Sequence, residues 1–120
     1  MKVLIVEPEK VPFEKEIPEG LASFQKEVGG DIEAVYPFSE PVALICNENS
    51  KLEGLPYNRV LRDKAGNIYD VIAGTFFLAG IGDEDLCSLT EAQIAKYQDY
   101  YKTPEMFLNI NGRLVVIPMQ

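Results

Sequence analysis

The stretch SLTEAQIAKYQDYYKTP, residues 88–104, runs directly into EMFLNINGRLVVI, residues 105–117, and together these thirty residues decide the fold class. Ser88 and Glu91 have capping-box spacing, in which each side chain satisfies an orphan N–H of a first helical turn. From there to Lys102, Ile94, Tyr97 and Tyr101 fall along one helical stripe, and Thr103-Pro104 ends the helix, because the residue before a proline is pushed out of the α region. The helix period then gives way to apolar segments, Met106 to Ile110 and Arg113 to Ile117, separated by Asn111-Gly112. Asn-Gly is a strong hairpin signal, since both central residues of a type I′ turn need positive φ.

Moving outward, the same alternation of helix and strand signals continues. Lys2 to Glu7 has apolar residues on both faces at Val3, Leu4, Ile5 and Val6, as a strand buried on both sides requires. Pro8 and Pro12 punctuate an acidic, edge-like stretch ending at Ile17. A helix is expected next, with Pro18 in its first turn, Glu19 near its positive end, Leu21, Phe24 and Val28 on its inner stripe, and Gly29-Gly30 as a left-handed cap. Strands are expected over Asp31 to Pro37 and Pro41 to Cys46, followed by a polar turn, Asn47 to Lys51. Asn58 to Asp63 and Ile68 to Ala73 bracket the turn Lys64-Ala65-Gly66-Asn67, and Thr75 to Ile81 is a further apolar strand. Two helices among several short strands predict a single α+β domain over residues 1–120, with a mixed or mostly antiparallel sheet covered by helices.

Composition narrows the function classes. The chain has 120 residues, a net charge of −8, no histidine and two cysteines. The acidic balance argues against direct nucleic-acid or anionic-membrane binding, for which clustered Lys and Arg are needed. The longest N-terminal apolar run is too short for a signal peptide, which needs about 7–15 apolar residues, and no stretch approaches the roughly 20 of a spanning helix. With Cys46 and Cys87 far apart and unpaired by motif, a reduced, cytoplasmic setting is expected.

Lack of histidine removes the usual general base and the commonest metal ligand. No phosphate-cradling glycine motif is present. Asp83, Glu84 and Asp85 form the densest acidic cluster, without calcium-loop spacing, and read as a solvated loop. Cys46 ends an apolar strand and reads as a core residue rather than a nucleophile. No catalytic residue, metal or cofactor is expected, and the chain reads as a binding protein.

One segment departs from the acidic background. Arg59, Arg62 and Lys64 lie within six positions, with Asn47, Asn49, Tyr57, Asn58 and Asn67 nearby in sequence. Arg offers forked recognition of carboxylate or phosphate, and Asn can read an amide or base edge. In a regular strand Arg62 and Lys64 share a face opposite Arg59, so convergence needs a bulge or bend. The bland alternative is that these cations pair with surface acids. Tyr97 and Tyr101 read as core at helical spacing, while Tyr100 is free to stack on a base or meet a second subunit.

Three segments around this basic stretch carry a resemblance: Ile32 to Phe38, then Asn47 with Gly54 to Arg59, and Tyr69 to Phe77. Together they resemble the family catalogued as domain of unknown function 3846, and the resemblance covers most of the chain. It implies membership of a group found in phages, other mobile elements and their bacterial hosts. Asn47, Asn58, Arg59, Asp70 and Gly74 carry over, with no established role attached.

The candidate ligand-binding set is Asn47, Tyr57, Asn58, Arg59 and Arg62, and the expected partner is a small anionic or nucleotide ligand. The alternative is an acidic inhibitor that binds a protein partner, a nucleic-acid mimic of antirestriction type. A homo-oligomer built through a sheet edge or the tyrosine helix is compatible with either.

Overall fold

A computed structural model describes residues 1–119. The strands are β1 (Lys2–Val6), β2 (Phe13–Glu16), β3 (Ile32–Val35), β4 (Val42–Asn47), β5 (Tyr57–Arg62), β6 (Ile68–Ala73), β7 (Phe76–Ile81), β8 (Leu86–Cys87), β9 (Glu105–Ile110) and β10 (Arg113–Pro118). Helix α1 (Leu21–Val28) follows β2, and α2 (Glu91–Tyr100) follows β8. The fold is α+β, and every strand pairing among the described residues is antiparallel.

The strands form three sheets. The main sheet has the order β2-β1-β7-β4-β3, with the short β8 also pairing to β7. The hairpins β5–β6 and β9–β10 are two-stranded sheets of their own. Strand β7 is the centre of the main sheet, with Leu78 opposite Leu4 on one side and Leu44 on the other.

Both faces of this sheet are covered, which is why β1, β4 and β7 are apolar almost throughout. On one face Val3, Ile5, Ala43, Ile45, Phe77 and Ala79 pack with Ile17 and with Phe24 and Val28 of α1. On the other, Leu4, Val6, Leu44, Phe76 and Leu78 meet Ile94 and Tyr97 from α2, Tyr101 at its C-cap, and Leu61 and Ile72 from the β5–β6 hairpin. The hairpin and α2 thus sit side by side on one face, and the candidate site lies along their junction.

Several local expectations need correction. Pro18 and Glu19 lie outside α1; the helix is preceded by Gly20, at φ 108°, with no side-chain cap. Its far end is as expected, with Gly29 at φ 76° and its N–H donating to the Gln25 carbonyl at 2.8 Å. The capping box of α2 is formed by Thr90 and Gln93 rather than Ser88 and Glu91. Ser88 is occupied elsewhere: its hydroxyl accepts the Lys2 N–H at 2.9 Å, and the Leu89 N–H donates to the Lys2 carbonyl at 2.9 Å. Tethering to β1 engages these two residues outside the helix and moves its cap two residues along, from Ser88 to Thr90.

The edge-like acidic stretch contains a true edge strand, β2, in which Glu14 and Glu16 flank Lys15. Such charges discourage pairing with a further chain. The closing hairpin turns at Asn111 (φ 53°) and Gly112 (φ 80°), as the Asn-Gly signal requires. No helix among the described residues is long and apolar enough to cross a membrane.

Candidate functional site

The geometry of the site starts with a fault in β5. Its pairing with β6 shifts register between Tyr57 and Arg59 and again between Leu61 and Arg62. Asn58 is therefore the extra residue of a bulge, and Asn58, Arg59, Val60 and Leu61 are buried in succession where a regular strand would alternate. The bend lets Arg59 and Arg62 line the same cavity, which regular pleating forbids.

Asn58 is wholly enclosed, and its amide donates to the Val6 carbonyl at 2.8 Å and the Gly74 carbonyl at 2.9 Å. Its side-chain oxygen accepts from Arg59 Nη1 at 2.8 Å. Arg59 is only 2% exposed. Its Nη1 also donates to the Asn58 carbonyl, and its Nη2 donates to the carbonyls of Lys10 at 2.8 Å and Tyr101 at 2.9 Å. All of these acceptors are neutral. Arg59 takes part in no ion pair among the described residues, and its Nε has no hydrogen-bond partner. Burial pulls the guanidinium below its ordinary pKa, and the nearby Glu105 carboxylate opposes that shift.

Above Arg59 lies a cavity of about 240 Å³, lined by Arg62, Tyr100, Tyr101, Thr103, Glu105 and Pro118 among others. Glu105 is the acid of this cavity, and it is already engaged: its Oε1 accepts the Val60 N–H at 2.9 Å. Arg62 is exposed, and its Nη1 donates to the Gly66 carbonyl at 3.0 Å. Arg62 and Tyr100 also belong to a second, larger cavity between the β5–β6 hairpin, α2 and the β3–β4 connection.

The remaining expected residues lie elsewhere. Tyr57 is edge-on to Phe107 of β9, with ring centroids 5.5 Å apart. Asn47 is buried at the end of β4, where its amide donates to the Val28 carbonyl at 3.3 Å and its oxygen accepts the Asn49 N–H at 2.8 Å. It borders a different cavity of about 120 Å³, beside Cys46 and the Lys51–Asp70 ion pair. Asn47 thus ties α1 to the loop after β4. The structure brings Arg59 and Arg62 together at one opening, backed by Asn58, and separates Asn47 and Tyr57 from them.

No sequence motif marks Thr103, Glu105 or Pro118, which also line this cavity. They reach it because the chain after α2 folds back against β5, where Glu105 accepts the Val60 N–H, and no local pattern encodes that approach. Cys46 is buried, and burial with the charge of Glu33 pushes its thiol up to about 12. The acidic cluster at Asp83 to Asp85 forms a tight loop in which Asp85 accepts the Leu86 N–H and no metal-holding group is present among the described residues.

The model of a family described as Domain of unknown function (DUF3846) matches residues 1–102. The chain belongs to the DUF3846 family. Within this DUF3846 chain the matched span includes Asn58, Arg59, Arg62 and Tyr100, whereas Glu105 and Pro118, on the cavity's other wall, lie beyond it. Comparisons of the DUF3846 chain with curated proteins and with solved structures returned no match.

Proposed function

We propose that this protein is a small binding protein that captures an anionic ligand in the cavity between β5 and the end of α2. One observation carries the reading: Arg59, buried to 2% exposure, has no carboxylate in ion-pairing distance and no partner for its Nε among the described residues, and it lies beside Arg62 in the same opening. A buried charge is costly unless paired, and neutral carbonyls answer only part of the need of a guanidinium. A phosphate or carboxylate at the opening would offset that charge and accept charge-assisted hydrogen bonds from the exposed Arg62.

A binding role rather than catalysis is supported by the lack of histidine and by a Cys46 thiol held far from ionisation at neutral pH. In a phage or other mobile element, removing a small host metabolite or signal from solution would be one use for such a protein.

The test is a thermal-shift and calorimetric screen of the full chain against inorganic phosphate, pyrophosphate, carboxylates and nucleotides. A ligand at about 100 times its Kd stabilises the fold by about 2.7 kcal/mol. Arg62→Ala, at an exposed position, is expected to weaken binding by about 1.5–3 kcal/mol. Glu105→Gln keeps an acceptor for the Val60 N–H, removes the competing charge, and is expected to tighten it. Failure of every anion to stabilise the wild-type chain sinks the proposal.

A further inference from the structure

The Arg59 cavity opens beside a larger one of about 480 Å³, and the two share Arg62 and Tyr100. Around the larger opening stand Tyr36 from the β3–β4 connection, Tyr69 from β6 and Tyr100 from α2. They expose 65%, 57% and 59% of their surfaces. A single exposed aromatic needs no explanation, but aromatics from different elements gathered at one cavity have the composition of a ring-stacking site. The charges there are also uneven. Lys96 is paired with Glu40, while Asp63 has its Oδ1 engaged by the N–H groups of Ala65 and Asn67. Lys64 is in no ion pair among the described residues, and Arg62 has only a carbonyl partner.

Resting on the anion-binding reading above, we infer that the ligand is a nucleoside phosphate or a small dinucleotide. Its phosphate sits at Arg59 and Arg62, and a base lies in the larger cavity against Tyr100 or Tyr69, with Lys64 close to any second phosphate. Cavities of about 240 and 480 Å³ joined at two residues fall in the size range of small-molecule sites, about 300–1,000 Å³. Net charge decides between this and a nucleic-acid strand. A chain at −8 repels a long polyanion, and cations confined to one groove can neutralise only a phosphate or two.

The experiment is calorimetric titration of the full chain with ribose 5-phosphate, a nucleoside monophosphate, a cyclic dinucleotide and a long oligothymidylate. The nucleotide is expected to bind about tenfold to a hundredfold tighter than ribose 5-phosphate, the worth of a stacked base. Tyr69→Ala, in the larger cavity alone, should erode that ratio while leaving ribose 5-phosphate affinity unchanged, whereas Arg62→Ala should weaken both. Tyr100 is a poor stacking probe, because it also lines the Arg59 cavity and packs edge-on to Tyr101 at 4.7 Å.

Equal affinity for ribose 5-phosphate and the nucleotide would refute base stacking and leave the anion site standing. Absence of binding by all four compounds would overturn both readings. Much tighter binding of the oligothymidylate than of the nucleotide would overturn the small-ligand assignment.

Discussion

Arg59 holds the molecule together at the same point where it offers a charge. Its guanidinium fastens the Lys10 loop and the end of α2 to β5, so Arg59→Ala is a poor probe of binding: it should unfold the site before it reports on it. Asn58 supports that arrangement from below. Asn58→Ala strands the carbonyls of Val6 and Gly74 and frees one side of Arg59, and about 2–4 kcal/mol of stability should be lost in urea denaturation. Thiol chemistry gives a second check at this scale. Cys87 is exposed and Cys46 buried with its pKa raised, so a thiol reagent at pH 8 should modify one cysteine in the folded chain and both after denaturation. The sequence marked Asn58 and Arg59 as unusual in an acidic chain. It could not tell which of their groups are spent internally, because that depends on the bulge at Asn58 and on carbonyls from residues 6, 10, 74 and 101.

Among the elements, α2 shows how a local signal can be right in kind and displaced in position. Two overlapping caps are written into residues 88–93, Ser88 with Glu91 and Thr90 with Gln93. The tether between Ser88 and β1 selects the second. Thr90→Ala should therefore cost about 1 kcal/mol, against a smaller loss for Ser88→Ala, measured as shifts in the urea midpoint. The turn from β6 into β7 is another place where one residue type is required. Gly74 has φ 75°, and an added Cβ would lie 2.8 Å from Leu55 Cδ1. Its N–H donates to the Pro56 carbonyl at 2.7 Å, so the turn cannot easily relax, and Gly74→Ala should destabilise by about 1–3 kcal/mol. Most strands and both helices were legible from period and punctuation. Strand β8 was not, since two residues carry no period.

At the scale of the whole molecule, burial of the α2 tyrosines sets the alkaline limit. Burial, and then the charge of Glu40, raises the Tyr97 phenol; burial likewise raises Tyr101. A raised pKa means that the folded state holds its proton where the unfolded chain, near pH 10, releases it. The stability from these groups is full below pH 10 and falls as pH rises above it. The Tyr97 hydroxyl has no hydrogen-bond partner among the described residues. Tyr97→Phe should therefore leave stability at pH 7 unchanged or higher by about 1 kcal/mol, and make the loss above pH 10 shallower in pH-dependent urea titrations. Helices and strands were readable at this scale only as a class. The division into three sheets was not, because pairing partners such as Leu4 and Leu78 lie far apart and nothing local distinguishes one apolar strand from another.

The position of β7 has a consequence for how the chain is made. Strands β1 and β4 never touch as partners; each pairs with β7, which is complete only at Ile81. Until that strand leaves the ribosome, the apolar β1 and β4 both lack the partner that joins them. Placement of Phe76–Ile81 between β1 and β4 completes the sheet, and nascent chains halted before it are expected to be the ones that chaperones retain.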